Sequence, residues 1–180
     1  MQKHKEKIYL GIIILLITVS AQIYYTHRYL PDREVQVFYN QDKPLNKEII
    51  SVIRDANEYI YFAIYTFTRL DIKDALLGAN YRGVNIIGVM DKKQTRDIEL
   101  QNKIALELKQ AGIPIFENDH SAIMHLKTLV TEKTYVSGSF NWTSSATNLN
   151  DEILEIGTDE TTRLKYQAIL ENLINKFSTN

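Results

Sequence analysis

Cysteine is absent from this 180-residue chain, which excludes disulfides, thiol nucleophiles and thiolate metal sites. That absence does not identify the redox compartment, because exported proteins also do without cysteine. Proline and glycine are scarce, at three and seven residues, and too scattered to form a linker or low-complexity tract. No internal repeat is present. Neither charge is in excess: 21 Lys and Arg face 22 Asp and Glu, a formal net charge of -1. A general attraction to nucleic acid is therefore excluded, and any polyanion binding must come from a local patch. What remains, 44% hydrophobic and 24% charged residues, suits one globular domain with a short appendage.

The appendage is at the amino terminus. Lys3, Lys5 and Lys7 precede an apolar run from Ile8 to Ile17, followed by Thr18, Val19, Ser20 and Ala21. This order reads as an export signal, with Val19 and Ala21 fitting the small-residue pattern of a cleavage site. The competing reading extends the run through Ile23, Tyr24 and Tyr25 into a short membrane anchor with two interfacial tyrosines. A helix buried in the core is disfavoured, since the run is apolar on every face. Residues 1–32 are thus expected to be signal peptide or anchor with a short stalk, His4 and His27 belonging to them. Residues 33–180 are expected to be the folded domain. Both readings place it outside the cytosol, because lysine-rich flanks stay inside.

From Glu34 onward, short β-branched or aromatic runs alternate with helical stretches, predicting a mixed sheet flanked by helices on both faces, an α/β fold. Strands are predicted over 35–39, 59–66, 85–90, 113–116, 125–131, 135–140 and 153–156. Helices are predicted from an Asn46 cap to Asn57, from Asp71 through Ala79, from Ile98 to Ala111 before Gly112, and from Thr161 to Phe177.

The chemistry concentrates between His125 and Glu152, in the stretch HLKTLVTEKTYVSGSFNWTSSATNLNDE. Alternate strand residues face the same way, so His125 and Lys127 stand roughly 7 Å apart and can grip one small anion. Ser139 and Asn141 repeat that spacing and offer a hydroxyl and an amide to phosphate oxygens. A neutral imidazole among such donors suits attack on a phosphodiester, with the donors stabilising charge on the equatorial oxygens. No aspartate or histidine cluster with metal-ligand spacing lies nearby, so no metal or cofactor is expected.

HxK, then GSxN, then a glutamate about ten residues on resembles the HKD signature of the phospholipase D superfamily. The likeness is to its short single-motif members, the bacterial endonuclease type and the mitochondrial cardiolipin hydrolase type. YTFT at 65 to 68 and RGVNIIGVMD at 82 to 91 fit as well. The resemblance implies a phospholipase D-like fold and a metal-independent phosphodiesterase. It implies that His125 is nucleophile and proton donor, that Lys127 binds phosphate, and that Ser139 and Asn141 support it. Glu152 matches the acid that orients the histidine, fixing its tautomer and stabilising the imidazolium. A single motif implies a homodimer that brings two histidines together.

Two departures stand out. Glu132 replaces the motif's aspartate, and the interval from Glu132 to Gly138 is one residue short. A turn of two residues would point His125 away from Ser139 and Asn141. A three-residue turn of Glu132, Lys133 and Thr134 pairs Thr131 with Tyr135, Lys127 with Ser139 and His125 with Asn141, and is the register expected, unless a bulge achieves the same facing. Outside the motif, Trp142 is expected to be packing and His120 a loop residue. Lys92, Lys93 and Arg96 form either a solvated basic loop or a second phosphate contact. Phospholipid and nucleic acid present the same phosphodiester. The acidic balance left without the leader, and the membrane proximity it implies, favour phospholipid. A nonspecific endonuclease is the alternative, and an inactive phosphate- or membrane-binding module a remoter one.

Overall fold

A computed structural model describes residues 2–29 and 35–178. The chain divides into two units, Met1–Asp32 and Arg33–Asn180. The junction expected at residues 32 and 33 lies outside the described residues, as do the side chains of Lys3, His4, Lys5, Ile8, Ile23, Tyr25 and His27. The first unit is helix α1 (Gln2–Tyr29). Its described large apolar side chains, Tyr9, Leu10, Ile12 to Ile17, Val19 and Tyr24, are all exposed. Among the described residues no helix is long and apolar enough to cross a membrane.

The second unit runs β1 (Val35–Tyr39), α2 (Leu45–Asp55), β2 (Tyr59–Ile64), α3 (Leu70–Tyr81), β3 (Asn85–Met90), α4 (Lys92–Asp97), α5 (Glu99–Gln110), β4 (Ile115–Glu117), β5 (Lys127–Thr131), β6 (Tyr135–Gly138), α6 (Ser144–Asn148), β7 (Ile153–Gly157) and α7 (Glu160–Ser178). The seven strands form one sheet in the order β1-β7-β6-β5-β2-β3-β4. β2, β3 and β4 are parallel and the remaining pairs antiparallel, so the sheet is mixed.

β2 shows why helices cover both faces. Ile60, Phe62 and Ile64 enter one core with Leu45, Ile49 and Ile53 of α2, Ile72 and Leu76 of α3, and Ile104 and Leu108 of α5. Tyr59, Tyr61 and Ala63 point the other way, against Leu170, Ile174 and Phe177 of α7. Each large apolar side chain taken fully from water contributes about 1.5–3 kcal/mol, so a strand read by both layers is strongly held. Gly88 on β3 leaves room for this packing: a Cβ there would lie 2.2 Å from the Phe62 ring.

Several boundaries differ from expectation for local reasons. α2 begins after Pro44, and Asn46 lies inside it, where its Nδ2 donates to Asp71 Oδ2 at 2.8 Å rather than capping. α4 replaces the expected basic loop, because Asp91 Oδ1 accepts from the Gln94 backbone N–H at 2.9 Å and caps it. α6, also unforeseen, is capped by Thr143 Oγ1 accepting from Ala146 N at 3.1 Å.

The β5–β6 register overturns the expected three-residue turn. Leu129 pairs with Val136 and Val130 with Tyr135. Thr131 N donates to Thr134 O at 2.8 Å, closing a turn of two residues, Glu132 and Lys133. The Thr131 hydroxyl selects this turn by accepting from both Lys133 N, at 3.2 Å, and Thr134 N, at 3.0 Å. Glu132 then reaches back to Asn57 N at 3.0 Å, fastening the turn to the start of β2. The expected pairs Lys127 with Ser139 and His125 with Asn141 do not form. Leu129, Val136 and Phe140 share one core while Val130 joins the other, and Leu126 is exposed.

Candidate active site

Parity alone would have scattered the site, yet the regular β5–β6 pairing ends before the residues in question. β5 opens at Lys127, whose backbone pairs with Ile64 at the end of β2. His125 lies ahead of the strand, exposed, with its ring edge-on to Tyr65 at 4.7 Å between centroids. Lys127 is 8% exposed; its Nζ donates to the His125 carbonyl at 2.9 Å and lies 5.1 Å from the Tyr65 ring centre. One tyrosine ring thus contacts both groups. Burial lowers the Lys127 pKa, and the Glu152 charge only partly restores it.

β6 ends at Gly138, whose φ of 150° and whose approach to Ile153 O, 2.3 Å from where a Cβ would stand, admit only glycine. Beyond it Ser139 lies outside the strand, though its backbone N–H still donates to Ile153 O at 3.1 Å. Its hydroxyl donates to Glu152 Oε2 and accepts from Ile153 N at 3.2 Å. Asn150 Nδ2 donates to the other carboxylate oxygen at 3.0 Å. Asn40, just past β1, clamps this corner: Glu152 N donates to its Oδ1 at 3.0 Å, and its Nδ2 donates to Asn150 O at 2.6 Å. Glu152 is 7% exposed and acts on Lys127 through its charge. The contacts that hold its carboxylate are to Ser139 and Asn150, and none among the described residues joins it to its own His125.

Asn141 enters from the same strand end, its Oδ1 accepting from Thr66 N at 3.3 Å. The Thr66 hydroxyl donates to Gln94 Oε1 at 3.0 Å, and the buried Gln101 holds the loop from within, accepting from Phe67 N at 2.8 Å. Tyr65, Thr66, Gln94, Gln101, Asn40 and Asn150 were missed by sequence reasoning as site supports. The signal available for Tyr65 and Thr66 was their place at the carboxyl end of a parallel strand, where α/β sheets bind ligands.

The other candidates separate cleanly. Trp142 is 1% exposed and packed against Phe62 and Phe67, a core residue. His120 is tied to its own loop, Nδ1 lying 2.7 Å from Ala122 O. Lys92, Lys93 and Arg96 stand on α4 and line a cavity of about 200 Å³ with Asn118, His120 and Ile123. No contact among the described residues joins Lys92 or Lys93 to His125, Lys127, Ser139, Asn141 or Glu152. Glu132 is occupied by the Asn57 and Glu58 backbone N–H groups; burial opposes its ionisation, but those bonds prevail and lower its pKa.

An exposed imidazole, a buried ammonium, a hydroxyl, an amide and a buried carboxylate thus gather at one end of the sheet. Residues 49–174, which contain all of them, match the family described as "Cardiolipin synthase, PLD-like domain". The chain belongs to the phospholipase D superfamily. It is accordingly a phospholipase D-like phosphodiesterase, a hydrolase. It is 30% identical over 165 residues to a phospholipase D of Rickettsia prowazekii, covering 89% of this chain and 77% of that one. It is 26% identical over 129 residues to a mitochondrial cardiolipin hydrolase of Chlamydomonas reinhardtii, covering 71% of this chain but only 56% of the algal protein. Among solved structures, Nuc of Salmonella typhimurium, a phospholipase D family member, superposes with a TM-score of 0.76 at 26% identity, covering 81% of this chain and 97% of Nuc.

Proposed function

We propose that this chain hydrolyses phospholipid phosphodiesters through a phosphohistidine at His125, in a site completed by a second copy of the chain. The observation that carries the reading is the pairing of an exposed His125 with a buried Lys127 against one tyrosine ring. A ring nitrogen of His125 attacks phosphorus while the bond to the leaving alcohol breaks. That oxygen takes a proton from an acid on the opposite side. Water then attacks the phosphohistidine, giving its proton to the same acid, now a base, and freeing His125. Lys127 and Asn141 stabilise the charge on the non-bridging oxygens, Ser139 steadies Glu152, and Glu152 balances the ammonium.

In-line displacement puts the acid across from the nucleophile, where one chain supplies no second motif histidine. His125 of a two-fold-related copy fits that role. The cations of the chain take the part a metal otherwise plays, so turnover is expected to survive EDTA. The lysine-flanked apolar α1 supports placing the domain outside the cytosol, on or near a membrane. Relatives named phospholipase D and cardiolipin hydrolase support lipid over nucleic acid.

The deciding experiment incubates the full chain with labelled phosphatidylcholine, cardiolipin, single-stranded DNA and RNA, each with excess EDTA. Product from lipid is expected. Product from nucleic acid alone makes the chain a nuclease, and product from none makes it a binding module. Activity that returns only with added divalent metal overturns the metal-independent chemistry.

A further inference from the structure

The β2–β3 ladder ends at Ile64 and Met90, yet the chain just beyond it carries the groups that touch the reacting pair. Tyr65 contacts the His125 ring and the Lys127 ammonium, and its N–H donates to Leu126 O, between those two residues, at 2.8 Å. Thr66 N donates to Asn141 Oδ1 at 3.3 Å, and Thr66 O accepts from Trp142 N at 3.0 Å. Residues 65–67 therefore join the two halves of the motif. A displacement there disturbs both.

Gln94 reaches only the Thr66 hydroxyl, whereas Gln101 of α5 holds the backbone of this segment on both sides of Thr66. Gln101 opens a stripe of buried residues, Gln101, Ile104, Ala105 and Leu108, whose other members are apolar. A fully buried amide in such a stripe is costly unless its polar atoms are paired. They are: Oε1 accepts from Phe67 N at 2.8 Å, and Nε2 donates to Tyr65 O at 3.3 Å and to Thr95 Oγ1 at 3.1 Å. Bonding the carbonyl before Thr66 and the N–H after it is the pattern by which a parallel strand grips its neighbour. One side chain thus supplies a pairing that the ladder no longer offers. A leucine would suit the stripe but provide neither bond, and an ionised carboxylate would provide only the acceptor.

We infer that Gln101 is a positioning residue for the reaction: it fixes the backbone from Tyr65 to Phe67, and through it the Tyr65 ring against His125 and Lys127. This rests on the reading of His125 and Lys127 as the reacting pair and is independent of whether the ester is lipid or nucleic acid. Without the amide, Phe67 N–H and Tyr65 O lose the bonds that set the segment, and the ring loses its fixed place beside both groups. A small misplacement of reacting groups acts on the chemical step more than on binding, so the loss falls on kcat rather than KM.

The test uses the full chain and bis(p-nitrophenyl) phosphate, a phosphodiester that is neither lipid nor nucleic acid. Gln101→Leu is expected to lower kcat by about a hundredfold with KM held within about twofold. In a Tyr65→Ala background the same substitution should cost no more than about twofold further, because the ring it positions is gone. Gln101→Glu regains the donor only when protonated, and burial raises the pKa of the introduced carboxyl. Its kcat relative to wild type should therefore climb at least about fivefold between about pH 8 and about pH 5. Leu108→Ala, two turns further along the same stripe, controls for destabilisation and should keep its kcat per folded molecule, the folded fraction being read from urea titrations. Wild-type kcat in both Gln101 variants, or losses that multiply in the Tyr65→Ala background, overturn the positioning role while an inactive His125→Ala leaves the site reading intact. An active His125→Ala, or a wild type that leaves the ester uncut, overturns the site reading and this role with it.

Discussion

At the scale of single residues, burial and exposure divide the labour. His125 is exposed and does no core packing, so His125→Ala should remove turnover by at least about a thousandfold while shifting stability within roughly 0.5 kcal/mol. Rate measurements and a urea titration check the two halves. Lys127 differs, because burial lowers its pKa. As pH rises through that lowered value the ammonium is lost, and with it the grip on phosphate. The alkaline limb of kcat/KM should therefore lie below the usual lysine range, and Lys127→Arg should move it up. Stability moves in the opposite sense: between the lowered folded pKa and the ordinary unfolded one the unfolded chain holds more protons, so stability rises with pH there. Tyr65→Ala, which removes the ring shared by His125 and Lys127, should depress kcat more than KM and shift this limb, whereas Tyr65→Phe should retain both. The motif residues were legible from spacing and residue type, while Tyr65, Asn40, Asn150 and Gln101 were not. They act by packing and, for Asn40, by bonds across 110 and 112 residues, which no local pattern encodes.

At the scale of elements, β1 and β3 fall where the β-branched runs place them, residues 35–39 and 85–90; β3 is mostly buried, whereas β1 is a largely exposed edge strand held by its pairing with β7. α4 was not legible: six polar residues have no apolar period, and only the Asp91 cap marks its start. The register was misread for a related reason. Parity was carried along a ladder assumed to reach the site, whereas that ladder stops at Leu129 and Val136 and Gly138 turns the chain out of it. Gly138→Ala is consequently expected to cost about 1–3 kcal/mol and to detach Ser139 from Glu152. Urea unfolding with a parallel rate assay checks this. Retention of both stability and rate would show that the strand end adapts without glycine.

At the scale of the whole molecule, one sheet places its chemistry at a single end and supplies only one motif histidine. The alternation of strands and helices made the mixed α/β sheet legible, but assembly leaves no periodic trace in a sequence. The dimer therefore carries the heaviest test. Inactive His125→Ala is mixed with wild type at varied ratios, with subunit exchange confirmed independently, and the rate is measured against the wild-type fraction. Two histidines in one composite site predict a fall close to the square of that fraction; a straight line would show that each chain acts alone and that the acid is a group other than the partner's His125.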